Sequence, residues 1–304
     1  MPAEVVGLKV FHHAIGRGLV SIVLLSLASA AAYGTAAVLQ HHAAVAQPPE
    51  LSVRAGLLVR LARRPLWLVG NLLDGVGYLF QFLALRRGSL SLVEPLLVLS
   101  LVFALPLAAW LDHRRLHTPD IASTALTVAG LGLFLGVARP GLGHPHARAL
   151  SWAVLTAVIV IGCTAAVLVA RRGSRRRAAV LLGAGSGMAF GYVAALTERT
   201  GHLLDAGVLH ALAMWEPYAM VVGGAGALLL TQSAFHAGAL RFSLPTLTVM
   251  QPLVAVVIGI GLFGEQIDSR GPAPLFEVLG LAMVTFGVFA LTGSNVMATE
   301  PDHP

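Results

Sequence analysis

This chain of 304 residues is poor in charge: 11% of it is Asp, Glu, Lys or Arg, against 57% hydrophobic residues. Soluble domains carry about 25% charged residues. With a mean hydropathy of +0.81, a soluble globular fold is excluded and a polytopic membrane protein is expected. Cysteine is almost missing as well. The lone Cys163 lies within an apolar run, which rules out an intramolecular disulfide and a cysteine-based metal site. Lysine occurs once, as Lys9, and the remaining basic residues are arginine. That bias, with abundant Ala, Gly and Val, suggests a GC-rich bacterial genome. There is no Walker-type Gly-rich loop, nucleophile elbow or zinc motif, so no enzymatic chemistry and no cofactor are expected. His12-His13 and His41-His42 are adjacent pairs without a carboxylate or cysteine at ligand spacing. They read as interfacial, and no metal site is expected. The net charge of +6 comes from short basic loops between apolar runs and is no sign of nucleic acid.

What the chain does have is long apolar runs. A span needs roughly 17–25 mostly apolar residues. Nine segments qualify, at about 18–39, 66–85, 90–111, 120–138, 151–170, 178–197, 217–237, 244–263 and 275–292. The first is long for a signal sequence and reads as a retained span. Residues 51–64 and 202–214 are too charged or too short to cross and read as helices lying at the interface. If 51–64 does cross, the count becomes ten. With nine spans, the richer arginine set, including Arg60, Arg63, Arg64, Arg114, Arg115, Arg171, Arg172, Arg175, Arg176 and Arg177, falls on one side. The positive-inside rule makes that side cytoplasmic, with the N-terminus outside.

The chain also repeats itself. A shift of 150 lays LFQFLALRRGSLSLVEPLL (79–97) on LLTQSAFHAGALRFSLPTL (229–247) without a gap, pairing Ala84 with Ala234, Gly88 with Gly238 and Pro95 with Pro245. The same shift pairs Gly130 with Gly280, and a shift of 157 pairs Ser29, Tyr33 and Gly34 with Ser186, Phe190 and Gly191. The expected plan is an N-terminal segment (1–17), a first membrane repeat (18–138), a linker carrying an extra span (139–177), a second repeat (178–292) and a tail (293–304). One linker span inverts the second repeat against the first. Inverted repeats are a mark of secondary transporters, whose site lies near midplane between the repeats.

Two carboxylates interrupt the apolar runs. An ionised acid at mid-bilayer costs at least ~2.5–3.5 kcal/mol, so it is expected to face a cavity or a partner. Asp74 lies near the middle of the second span, and Asn71, Asp74, Tyr78 and Gln81 share one helical face. This face is the candidate solute or ion pathway, with Asp74 binding a cation or taking the coupling proton; the bland reading is an acid that only packs. Glu94 opens the third span just before Pro95, where a break or kink is expected. Its bland reading is an interfacial acid at a helix N-terminus. Pro245 is the counterpart of Pro95, but Leu244 stands where Glu94 does. The second half offers Gln232, Thr248 and Gln251 as polar pathway contacts. Tyr33 and Phe190 are candidate gating or packing aromatics. Glu198, Glu216 and Glu265 fall at span ends and are expected to be solvated or paired with arginine.

The run ALRRGSLSLVEPLLVLSLVFALPLA, its second-half partner AFHAGALRFSLPTLTVMQPLVAVVIGIGLFGEQI and the closing VLGLAMVTFGVFAL resemble the EamA-like members of the drug/metabolite transporter superfamily. The family's second half ends its penultimate span in Gly-Glu, matched by Gly264-Glu265, and Gly280 matches its last span. The first half departs, with Arg114-Arg115 near the expected acid. The nine spans and the reduced second helix also resemble the NIPA-type magnesium-transporter branch. That branch has Gly-Glu and a nearby Asn on the second span; this chain has Leu73-Asp74 one turn earlier, and Gln81 near the Asn position. The resemblance implies an inverted-repeat helix bundle in the bacterial cytoplasmic membrane that carries a small solute by alternating access. A magnesium or divalent-cation transporter and a non-transporting scaffold are the alternatives. The expected partners are the small-molecule or ion substrate and membrane lipid, with a homodimer compatible and nucleic acid not expected.

Overall fold

The computed structural model describes residues 3–45, 60–111, 113, 115–138, 143, 147–238, 240–265 and 273–290. Among them the structure is helical. The helices are α1 (Ala3–Val45), α2 (Pro65–Leu85), α3 (Leu90–Leu96), α4 (Ser100–Leu111), α5 (Thr118–Ala138), α6 (Ala149–Ala170), α7 (Arg175–Asp205), α8 (Val208–Leu212), α9 (Glu216–Ala237), α10 (Leu240–Gly261) and α11 (Ala273–Ala290). A 3₁₀ turn, Leu97–Leu99, joins α3 to α4 into one span. Nine of these segments are long and apolar enough to cross a membrane among the described residues. Large apolar side chains such as Leu72, Leu150, Ile161 and Phe286 point outward, as a lipid solvent requires. The chain is a multi-pass membrane protein.

Small residues set how closely the helices approach. Gly183, Gly187 and Gly191 recur every fourth residue along α7, and a Cβ on Gly187 or Gly191 would meet the carbonyl oxygen of Leu247 or Gln251 on α10 at 2.6–2.7 Å. This is the small-residue ridge by which membrane helices gain van der Waals contact. On α1 the corresponding positions are Ser26, Ala30 and Gly34, all buried, and Gly34 sits against the backbone of Ser100 and Ala104. Hydrogen bonds repeat as well. Ser29 Oγ donates to Gly77 O at 2.8 Å, and Ser186 Oγ donates to Ala227 O at 3.1 Å. α1 packs along α2 and the third span, α7 along α9 and α10, and α5 along α11.

The third span tightens to 3₁₀ geometry at Leu97–Leu99, just after Pro95, whose missing N–H leaves the ladder one bond short. The second-half counterpart differs. α10 runs as uninterrupted α-helix through both Pro245 and Pro252.

Several expected boundaries move. The sixth span extends to Asp205, so α7 is a helix of 31 residues, and 202–205 close it instead of starting an interfacial helix. The chain then turns at Gly207, whose φ of +115° suits glycine, into the five-residue α8. α1 begins at Ala3, so the segment before residue 18 continues the first span's helix. Most of the 51–64 segment lies outside the described residues.

Candidate functional site: a polar-floored cavity between six helices

A cavity of about 330 Å³ opens where α1, α2, the third span, α7, α9 and α10 converge. Asn71, Asp74, Tyr78 and Gln81 from α2 line one wall, at the spacing of three and four that puts them on one face. Thr248 and Gln251 of α10 line another, and Thr231 of α9 joins them. Tyr33 and Phe190, the paired aromatics of α1 and α7, both border the space, so they are placed to touch an occupant as well as to pack. The remaining wall is apolar: Ala37, Leu97, Leu228, Phe235, Leu244 and Leu247 contribute.

Two hydrogen-bonded chains organise the polar groups. In the first, Gln232 Nε2 donates to Gln40 Oε1 and Gln40 Nε2 donates to Asp74 Oδ2, each at 2.5 Å. It ties α9 through α1 to α2 and fixes one oxygen of the cavity's carboxylate. In the second, Tyr33 OH donates to Gln81 Oε1 at 2.6 Å, and Gln81 Nε2 donates to Glu94 Oε1 at 2.5 Å. Gln251 Nε2 donates to Glu94 Oε2 at 2.9 Å. Glu94 is thus held by amides from α2 and α10. It is fully buried, at 0% exposure, about one turn into the third span. It does not line the cavity but sits behind the two glutamines that do.

Three other sequence-selected residues lie off the cavity wall. Gln232 acts through Gln40. Pro95 faces a narrow apolar crevice with Leu131, Phe134 and Val249, and Pro245 is buried within α10. Tyr78 OH reaches outward from the cavity to Thr197 Oγ1 at 2.7 Å and Met220 Sδ at 3.0 Å.

The span-end acids divide. Glu216 pairs with Arg199 at 3.3 Å, as expected. Glu265 does neither expected thing. Its carboxylate accepts the backbone N–H groups of Leu90 (2.8 Å) and Ser91 (2.9 Å), capping the third span one turn before Glu94. Burial holds the Glu265 carboxyl above its ordinary range, offset only in part by the bonds from Ser91 and Leu90. His41 is also a correction. It is 3% exposed and meets the edge of Phe235 at 5.9 Å between centroids, so it is buried between helices near the end of the first span and not open to solvent. The side chains of His12 and His13 lie outside the described residues. No group of three or more His, Cys, Asp or Glu able to hold a metal ion occurs among the described residues.

No family model matches the chain, and no solved structure matches it. Over 278 residues it is 31% identical to the uncharacterized protein Cgl0250/cg0304 of Corynebacterium glutamicum, covering 90% of this chain and 96% of that protein. The chain belongs to the family of that corynebacterial protein. It is also similar, at 24% identity over 294 residues, to the probable magnesium transporter NIPA9 of Arabidopsis thaliana, covering 90% of this chain and 82% of the plant protein. Both alignments take in nine-tenths of the chain, so the likeness extends across the halves that build the cavity.

In this family member, sequence reading overlooked Gln40, the hinge of the Asp74 chain. Its signal was available: Tyr33, Ala37 and Gln40 follow one another at helical spacing, so a tyrosine and an amide share the inner face of α1. Thr197 and the capping role of Glu265 were overlooked too. The Leu90–Glu265 bond joins residues 175 apart, which no local pattern reveals.

Proposed function

We propose that this protein is a secondary transporter that moves a small solute across the bacterial cytoplasmic membrane by alternating access, coupled to a proton or cation through Asp74. The observation that carries this reading is the position of Asp74 on the wall of a cavity of about 330 Å³ shared by helices of both halves. An acid at such a depth is functional by default. The reading places the chain with the EamA-like drug/metabolite transporters and involves no covalent chemistry.

An inverted repeat of 18–138 and 178–292 about a linker span is part of this reading. It is supported by contacts that recur under the sequence shifts: Ser29 to Gly77 and Ser186 to Ala227, the small-residue ridges of α1 and α7, and the mutual approach of Gly130 and Gly280. Two halves built alike can rock against each other about a fixed site. The charge, by contrast, belongs to one half: Asp74 corresponds to Gly224 and Glu94 to Leu244.

The walls favour an organic solute. Asp74 and Gln81 are seven residues apart, ~10 Å along α2 at 1.5 Å per residue. Glu94 lies behind Gln81, so the two carboxylates do not converge on one point. A small cation held by protein alone would need six or more oxygens around it, whereas this cavity offers one carboxylate, a few amides and hydroxyls, and apolar side chains. The second reading, a magnesium carrier, is favoured by the similarity to NIPA9. Magnesium keeps much of its water shell and uses one or two carboxylates, so Asp74 would be its anchor.

Proteoliposome flux separates the two. A pooled set of isotope-labelled metabolites and magnesium are offered under an imposed pH gradient. Metabolite flux that follows the gradient and is lost in Asp74→Asn supports the carrier reading. Magnesium flux lost in the same variant supports the second. No flux of either, with Asp74→Asn cells indistinguishable from wild type in a growth screen, overturns both.

A further inference from the structure

The cavity has an open side between α2 and α9. Gly75 of α2 and Gly224 of α9 both line it, and a Cβ added to either would meet nothing within 4 Å. Gly75 is itself exposed, and Asp74 beside it is partly exposed. Leu72, Val76, Val221 and Val222 flank the two glycines on the same helices and point outward, the direction in which a membrane helix meets lipid. The two helices have almost no backbone contact with each other. Both glycines fall near the middle of their spans, Pro65–Leu85 and Glu216–Ala237, so the opening lies at mid-bilayer depth.

Toward each water-facing end, polar bridges cross the cavity. At one end Gln232, Gln40 and Asp74 link α9 through α1 to α2, each bond at 2.5 Å. At the other, Tyr78 OH bonds Thr197 Oγ1 of α7 at 2.7 Å and Met220 Sδ of α9 at 3.0 Å, and the Arg199–Glu216 pair lies beyond it. An occupant leaving toward either end must part these bonds. One leaving between Gly75 and Gly224 passes two residues that have no side chain to move.

The lining determines what such an occupant carries. Asp74 is the one carboxylate among the described lining residues, and no Arg, Lys or His is among them. An anion would face Asp74 with no counter-charge in reach, a costly arrangement away from water. A cation finds that carboxylate, the amide oxygens of Asn71 and Gln81, and the bordering rings of Tyr33, Tyr78 and Phe190, whose faces attract positive charge. The apolar remainder of the wall suits a hydrocarbon body.

We propose that the cavity takes its solute sideways from the bilayer, between Gly75 and Gly224, and that the solute is an amphipathic amine whose ammonium group meets Asp74. Such molecules concentrate in the membrane because their apolar bodies leave water. A mouth at mid-bilayer depth opens onto the phase that holds them. Movement of the amine across the membrane rests on the carrier reading; its binding and its route into the cavity do not.

Binding to the full chain in lipid nanodiscs tests both parts. Tryptamine, tryptophol and indole-3-propionate share a ring and differ in the head group; hexylamine keeps the amine without the ring. The amines should bind about tenfold or more tightly than tryptophol, the margin of a charge-assisted over a neutral hydrogen bond, and indole-3-propionate should not bind. Asp74→Asn should bring the amines down to the tryptophol level, and Asp74→Glu should restore the preference, which separates loss of charge from loss of fold. Neither amine binding, or indole-3-propionate binding as well as they do, overturns the solute class. The route is read from rates. Gly75→Phe and Gly224→Phe, on different helices, should each slow amine association and release together by about tenfold or more. Gly226→Phe, at an exposed glycine off the cavity with equally open space, should leave both rates unchanged. Wild-type rates in the two mouth variants, or faster release from them, overturn the lateral route. Binding is measured without flux, so a protein that carries a different metabolite and ignores amines keeps the carrier reading and loses this one.

Discussion

Gly130 and Gly280 lie back to back where α5 crosses α11: a Cβ on Gly130 would meet Gly280 O at 2.7 Å, and a Cβ on Gly280 would meet Gly130 O at 2.8 Å. Two residues that the 150-residue shift pairs in the sequence therefore touch each other. The contact leaves no room for a methyl group. Gly132, two residues along α5, has nothing within 4 Å of its Cβ position. Alanine at the two sites should act in opposite directions. Gly130→Ala forces the crossing apart and should cost about 1–3 kcal/mol. Gly132→Ala should be neutral or stabilising by up to about 1 kcal/mol through helix propensity. Thermal unfolding of the detergent-solubilised variants checks both, and equal midpoints would refute the close crossing.

The α7 ridge makes a similar case with a functional readout. Gly187 faces Leu247 O and Met250 on α10, while Gly224, which lines the cavity from α9, has open space around it. Gly187→Val should separate α7 from α10, lowering the unfolding midpoint and any solute flux together. Gly224→Ala, with open space for its methyl group, should be neutral or stabilising by up to about 1 kcal/mol in unfolding free energy. A destabilised Gly224→Ala would mean that the cavity closes around it.

Most of the architecture was written in hydropathy, because a lipid-facing helix must be apolar around most of its surface. The exceptions have physical causes. Residues 198–205 are too polar to read as part of a span, yet they stay helical, with Glu198 buried, Arg199 paired with Glu216 and Arg86 paired with Asp205. Asp74 and its face were legible because an isolated acid in an apolar run has no cheap position other than a cavity or a partner. Gln40 was not, because an amide beside a histidine pair looks like the end of a span. The Glu265 cap was hidden by the distance in sequence between acceptor and donors. Pro95 and Pro245 read alike, but only the first is followed by a 3₁₀ turn.

Gln40 offers a test of the Asp74 chain that leaves the acid in place. Gln40→Leu removes the donor to Asp74 Oδ2 and the acceptor for Gln232 Nε2. Each abandoned group should cost about 1–3 kcal/mol. Gln232→Leu should cost less, since it strips only Gln40 of a partner. If the three residues act as a unit, the double variant will be less damaging than the sum of the singles. Additive losses in unfolding free energy would show that the chain is not energetically coupled.

The last expectation concerns Glu265. Its two bonds fasten the turn after α10 to the start of the span that carries Glu94. Glu265→Ala leaves two buried N–H groups without an acceptor and should destabilise the protein by about 2–6 kcal/mol, taking each lost group at its desolvation cost. Glu265→Gln keeps one acceptor oxygen but loses the charge, so its cost should fall between wild type and alanine. Hydrogen exchange locates the effect: the amides of Leu90 and Ser91 should exchange faster in Glu265→Ala than in Glu265→Gln, while amides along α5 stay protected in both. Unchanged exchange at Leu90 and Ser91 would show that the carboxylate does not cap the third span.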